Sequence, residues 1–398
     1  MANSNVTIDM VTREALRIAH EKIQFIGTVD RQYDDSFGKT GAKIGSSLRV
    51  RKPNQYTRTT GSRVMDVQDQ NEQTATITVA TQDHVDMRFN SAELALSIDE
   101  ISKRYIEPAM STLVSGIEAD FLAFATKATA NLAGTAGTAI TSLVTPGAAR
   151  AKLNQQLAPK SDRYIQMDSI TMGGLVNGVA AYFNPSNAIS EQYREGLVAR
   201  TSMADYYENE RVWTMPNSAD VAGEINAGTL TSGITSLTVD GLTVAPVAGM
   251  VFTVEGIYDV HPETKVAYSG LKQFVCSTGC TTTNLVFTPA LIYSTTDARQ
   301  NCSGTPVDNA DITFAGALST NYVQPLMYHK EAFQFVTADL PLMASSEKCV
   351  RRVQDGLSLR VWQDSDIRND ELLMRIDILY GMAALRPEWA CRMIGAAG

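Results

Sequence analysis

From Asp220 to about Ile312 the sequence consists of short apolar runs such as "GMVFTVEG", "KQFVC" and "NLVFTP", separated by turn signals and dominated by Thr, Val, Gly and Ser. Runs of that length and spacing predict a small all-β unit, a barrel or sandwich. The segment holds nine acids against three bases, so it carries most of the chain's formal net charge of −9. Mixed helix and strand patterns flank it on both sides. It therefore reads as an insertion facing solvent, after which the chain returns to the domain it interrupted. The chain's 398 residues also exceed the roughly 250–300 that one hydrophobic core serves, so two or three packed units are expected.

Residues Ile8 to Ile26 place Val11, Ala15, Ile18, Ala19, Ile23 and Ile26 on one side and Arg13, Arg17, His20 and Gln24 on another. This is an amphipathic helix that Gly27 is expected to stop. Its stripe precedes any candidate core, so it docks either back onto its own domain or onto another chain. Next, "SSLRVRKP" and "TATITVATQ" alternate with period two around a polar, turn-prone stretch, which predicts a long two-stranded hairpin. Its first half is basic, with Lys39, Lys43, Arg49, Arg51, Lys52, Arg58 and Arg63, whereas Asp66, Asp69, Glu72, Asp83 and Asp86 make the return acidic. Opposite charges on facing strands contribute about 0.2–1 kcal/mol per pair. A long hairpin also needs another surface to lie against, since isolated hairpins are marginal in water.

Asn90 with Glu93, and Ser97 with Glu100, have capping-box spacing, and Met110 to Ala128 hold the three-four spacing of a long helix that Pro108 either starts or kinks. Thr145 and Pro146 are expected as N-cap and first residue of a short helix running to Leu157. "RYIQM" reads as a strand. The C-terminal "YHKEAFQFVTADLP", "GLSLRVWQD" and "LLMRIDILYGMAALRPEWACRM" read as strands with one short helix.

The chemistry-bearing motifs are few. Gly38-Lys39-Thr40 is not a phosphate-binding loop: Tyr33 stands where the first glycine belongs, and Gly41, Gly45 and Pro53 break the helix that must follow. The net-acidic chain argues against a dedicated nucleic-acid binder. The basic run lacks interleaved aromatics, so its charges are read as steering and registering a protein contact. The four histidines, His20, His84, His261 and His329, lie in no nucleophile signature and read as surface or satisfied core residues. His261-Pro262-Glu263 followed by Cys276 and Cys280 is a near miss to a zinc deaminase pattern, with the wrong cysteine spacing. Cys276 and Cys280 either remain free thiols or flank a turn closely enough for a disulfide. The other cysteines, Cys302, Cys349 and Cys391, are expected to be free. Asp34 with Asp35, and Asp364 with Asp366, are read as solvated acids, with cation binding the alternative. No catalytic, cofactor or metal residues are assigned. Met1 to Met10 have no signal-peptide pattern and no apolar run reaches membrane length, so a cytoplasmic protein without membrane contact is expected.

The order of parts, read with "SAELALSIDEISKRYIEPAMSTLVSGIEAD" (Ser91 to Asp120), "EQYREGLVARTSMADYYENERVWTMP" (Glu191 to Pro216), "YHKEAFQFVTADLP" and "IDILYGMAALRPE", resembles the major capsid proteins of tailed bacteriophages. Within these it looks most like the inserted-domain branch typified by the Salmonella phage P-twenty-two coat protein. The resemblance implies an α+β, HK97-like fold. Its parts would be an N-arm at 1–35, an E-loop at 36–90, a peripheral domain with spine helix at 91–133 and an axial domain at 134–219. The inserted β domain would occupy 220–312, and the return strands of the axial and peripheral domains 313–398. It implies a non-enzymatic, self-assembling subunit whose hexamers and pentamers tile an icosahedral shell around double-stranded DNA. A scaffolding protein and a portal would act as partners, in the host bacterial cytoplasm during assembly and in the virion afterwards. Under it the seven basic E-loop residues face a neighbouring subunit. An arm and hairpin that one subunit leaves unsatisfied would themselves call for neighbours. The competing readings are an encapsulin-like compartment shell, and an enzyme or sugar-binding protein with a β-rich substrate domain.

Overall fold

"LSLRVWQD" and "ELLMRIDILYGMAA" alternate side chains to two faces, and they form the adjacent strands Leu357–Asp366 and Glu371–Ala384 at the centre of a six-stranded sheet. The computed structural model describes residues 8–34, 47–58, 61, 67, 73–90, 102–179, 204–217, 222–226, 230–343, 348–366, 368–369 and 371–396. Two units emerge, one made of Met1–Arg51, Thr74–Phe121 and Phe333–Leu385, the other of Lys52–Gln73, Leu122–Ala332 and Arg386–Gly398.

In the first unit, strand Glu371–Ala384 pairs antiparallel with three others. Its residues 371–377 meet strand Leu357–Asp366, residues 379–384 meet strand Phe333–Ala338, and residues 371–380 meet strand Thr81–Asn90. Strands Asp30–Asp34 and Lys348–Gln354 complete the sheet. The N-terminal helix Ile8–Lys22 packs on strands Lys348–Gln354 and Leu357–Asp366 of its own chain, burying Val11, Ala15, Leu16, Ile18 and Ala19. Of the two docking alternatives, self-docking is the one adopted. The helix ends at Lys22 rather than at Gly27, which lies inside a second short helix, Phe25–Thr28. The buried Glu118 carboxylate of helix Glu107–Ala128 explains the earlier break, accepting the N–H groups of Gln24 (2.6 Å) and Ile26 (3.3 Å). An aromatic chain of Phe25, Phe121, Phe335 and Tyr380, with centroids 4.8–5.6 Å apart, continues the core.

The basic strand Ser47–Lys52 does pair with Gln73–Thr78. The acidic return is different from expectation: Asp83 and Asp86 belong to strand Thr81–Asn90, which leaves the hairpin and joins the main sheet, where Asp86 faces Arg375 in register. The reason is apolar. Ile77 and Val79, with Val50 against them, bury with Val336, Ala338, Leu340, Leu379 and Ala383, so this part of the hairpin is covered within its own unit. The premise that arm and hairpin lack partners in a single subunit is therefore corrected for the described residues. Both proposed capping boxes, which rest on Glu93, Ser97 and Glu100, fall outside those residues. The segment Glu191 to Met203 does too, and so does Asp35.

The second unit holds a five-stranded sheet and a closed barrel. The sheet runs Leu132–Ala133, Ala390–Met393, Leu326–His329, Arg163–Met167, Asp205–Glu208. The barrel closes strands Ala222–Ile225, Ile234–Asp240, Val251–Val260, Ala267–Cys276, Asn284–Leu291 and Asp311–Phe314 around Phe252, Phe274, Phe287 and Phe314. The barrel does not stand free in solvent: Leu132, Met215, Tyr322 and Ile394 share its apolar cluster, and Gln273 makes paired hydrogen bonds with the Leu132 backbone. Helix Val144–Gln155 starts two residues earlier than expected. Leu143 is its N-cap, and Thr145 and Pro146 lie in its first turn. Proline is tolerated there because those N–H groups have no partner within the helix. The helix stops at Gln155, and the buried Arg163 binds the carbonyls of Ala158 (2.7 Å) and Pro159 (2.7 Å) just beyond it.

Candidate functional site

The seven cations expected at a contact are distributed unevenly. Arg51 and Arg58 are exposed and Lys52 is half-buried, each in the backbone set by strand Ser47–Lys52 and the residues after it. Arg49 belongs to the same strand. Lys39, Lys43 and Arg63 lie outside the described residues.

A second surface was not anticipated. At one end of the six-stranded sheet, Asp86, Met87, Arg88, Trp362, Asp364, Leu373, Met374 and Arg375 line a groove of about 620 Å³. The strand register builds it: Trp362 and Asp86 both stand opposite Arg375, and Asp364 and Arg88 both stand opposite Leu373. Leu373 is 47% exposed, large for an apolar residue on a sheet face. Arg88 reaches Glu371 at 3.2 Å, and Arg375 bonds the buried Asp377 carboxylate that Arg360 also holds at 2.6 Å. The alternation in "RVWQD" and "ELLMRID" contains this face, but only cross-strand register shows which side chains become neighbours.

The histidines are engaged structurally. His84 Nδ1 lies 2.9 Å from Asp86, His20 lies 4.0 Å from Asp355, and His261 Nδ1 accepts the N–H groups of Glu263 and Thr264 in a turn. His329 is buried, accepts Glu331 N–H at 3.2 Å, and stands edge-on to Trp389; burial pushes its pKa below the ordinary value. Asp366 accepts from Arg368 and Asn369 in a loop, and Asp364 from Ser365 N–H. Among the described residues no three His, Cys, Asp or Glu side chains gather to hold a metal, and no helix is long and apolar enough to cross a membrane. All five cysteines are free thiols, including Cys276 and Cys280.

Residues 216–395, somewhat under half of the chain, match the family model described as P22 coat protein, gene protein 5. This stretch contains the barrel and the strands that return from it. The match thus falls on a mixed α+β chain with a small closed barrel. Over this stretch the chain is similar to a phage coat protein. No curated protein sequence matches the chain. Among solved structures it is similar to that of Mycobacterium phage Che8 (9% identity, TM-score 0.47, 93% of this chain and 90% of that one). It is likewise similar to the capsid of cyanophage P-SCSP1u (11%, 0.46, 93% and 87%) and to a virus-like particle from Pyrococcus furiosus (7%, 0.39, 97% and 98%).

Proposed function

We propose that the subunit has the HK97-like arrangement and assembles as hexamers and pentamers into an icosahedral shell around double-stranded DNA. A scaffolding protein and a portal assist it in the host bacterial cytoplasm. The family match across the barrel and return strands carries this reading. The physics is compatible, since a net charge of −9 keeps the subunit from trapping the polyanion it encloses. The parts are those of the sequence reading: N-arm 1–35, E-loop 36–90, peripheral domain 91–133, axial domain 134–219, inserted domain 220–312 and return strands 313–398.

In this proposal Lys39, Lys43, Arg49, Arg51, Lys52, Arg58 and Arg63 meet acidic groups of a neighbouring copy. The exposure of Arg51 and Arg58 supports that role. The test is to replace Arg49, Arg51 and Lys52 with Glu and follow assembly by size-exclusion chromatography and negative-stain microscopy. Loss of shells with an unchanged circular dichroism spectrum is expected, and wild-type shells from the variant would refute the contact. Packaged DNA in wild-type particles fits a phage head, whereas a packaged enzyme would indicate a compartment.

A further inference from the structure

Strand Ala267–Cys276 ends on the buried Cys276, and the turn that follows brings the half-buried Cys280 back beside it before strand Asn284–Leu291 begins. Gly279, at φ +98°, supplies the left-handed residue this return needs. The Cys280 sulfur is fixed in place: it lies 3.3 Å from the carbonyls of Ser277 and Val286, and Val286 N–H donates to it at 3.4 Å. Cys280 packs against the apolar cluster that holds Cys276, and Val286, whose backbone bonds the Cys280 sulfur, is next in sequence to Phe287, the residue opposite Cys276. The interaction between the two thiols draws Cys280 down to about 7 and, with burial, pushes Cys276 up.

A positive charge lies beside Cys276. Arg392 is fully buried, and its Nη1 donates to Gly249 O (2.7 Å) and Gln324 Oε1 (2.9 Å). Gly249 N–H in turn donates to Cys276 O at 2.8 Å, which places the guanidinium next to the cysteine strand. Both acceptors of Arg392 are neutral, and its Nε and Nη2 have no partner within the described residues. An arginine buried without a carboxylate favours loss of the proton from the thiol it acts on, here Cys276, which eases the resolving step rather than the first attack.

We propose that Cys276 and Cys280 form a redox-active dithiol that a hydroperoxide converts to an intrachain disulfide, with Cys280 attacking and Cys276 resolving. The Cys280 thiolate attacks one oxygen of hydrogen peroxide; the O–O bond breaks and hydroxide leaves, taking up a proton to become water. The Cys276 sulfur then attacks the Cys280 sulfenic acid. The S–O bond breaks, and a second water leaves with the Cys276 proton. Two thiols lose two electrons, and one peroxide gains them. The division of labour follows access, because Cys280 is half-buried and Cys276 is 1% exposed. Cys302 and Cys391 are fully buried, and burial pushes each up to about 12 despite nearby cations, so both stay inert.

The full-length chain treated with hydrogen peroxide, then denatured and alkylated, gives the test. Titratable thiols should fall from five to three, the intact mass should drop by about 2 Da, and peptide mapping should find the Cys276–Cys280 link. Reduction with dithiothreitol should restore all five. In Cys280→Ser the link should be lost and Cys276 should stay reduced. Cys349, half-exposed and in the other unit, serves as the internal comparison. Retention of all five thiols, conversion of Cys280 to sulfinic acid, or a disulfide through Cys349 instead would each overturn the proposal.

Discussion

Glu118 Oε1 stands 2.6 Å from the backbone nitrogen of Gln24, ninety-four residues earlier in the sequence, and the same oxygen accepts Ile26 N–H. One buried carboxylate thus ends the N-terminal helix and fastens the following turn to the long helix. Glu118→Ala would leave the buried Ile26 N–H unpaired, at about 1–3 kcal/mol, and would release the Gln24 N–H. The expected outcome is a lower urea midpoint and faster protease cleavage near Lys22. An unchanged midpoint would show that water replaces the carboxylate without loss.

Gly381 permits the close approach of the hairpin strand to the sheet, because a Cβ built there would lie 2.5 Å from Thr78 O. That neighbour is backbone and cannot swing aside. Gly381→Ala should therefore destabilise the first unit by about 1–3 kcal/mol. Amide exchange should rise selectively at Ile77 and Val79, whose burial depends on this contact.

These two positions show what the sequence disclosed and what it withheld. The three-four spacing of Val11, Ala15, Ile18 and Ala19 located the N-terminal helix, and period-two alternation located the barrel and the sheet strands. Periodicity reports which face is buried, not against what. It could not separate docking on the same chain from docking on another, and it placed the helix end at Gly27 because Glu118 is invisible locally. Local sequence places Asp83 and Asp86 in the hairpin for the same reason: strand pairing is a long-range choice, made by Ile77 and Val79 finding Val336 and Leu379. The groove at Trp362 and Leu373 needed cross-strand register, which no single segment contains.

Lys272 and Asp259 form a buried pair at 2.8 Å, with side chains 8% and 5% exposed, and Gln156 also donates to Asp259 at 3.1 Å. Lys272→Met leaves Asp259 charged and without its cation, which should cost about 3–5 kcal/mol. The double change Asp259→Leu with Lys272→Met should recover much of that loss, since two apolar side chains replace two desolvated charges. Urea denaturation of wild type, both single variants and the double variant measures the coupling.

Burial lowers the His329 pKa in the folded chain. Glu331 and Asp162 pull it up, but Arg163 and Arg386 push it further down. The unfolded state therefore binds more protons below the ordinary histidine value of about 6.5. Stability is full above that pH and declines as pH falls through the window between the unfolded and folded values. Thermal melts between pH 7.5 and 5.5 should show the decline, and His329→Asn, which can still accept the Glu331 N–H, should flatten part of it. An identical pH profile in the variant would assign the decline to other groups.

The barrel enters and leaves the second unit through adjacent strands: Thr214–Pro216 pairs antiparallel with Asn321–Val323, and inside it Ala222 stands opposite Thr313. Such neighbouring ends let the barrel be excised, joining Asn217 to Tyr322, without stretching what remains. Excision also removes the surface that covers Leu132, Met215 and Ile394, and it deprives buried Arg392 of the Gly249 carbonyl. Apolar burial is worth about 25 cal/mol per Å², and a guanidinium losing an acceptor adds to the cost. The shortened chain should therefore retain the five-stranded sheet but melt well below wild type. Arg392→Met in the shortened chain should recover part of the difference. Complete unfolding would mean that the barrel is integral to the second unit's core, and a wild-type melting temperature would mean that the shared cluster contributes nothing.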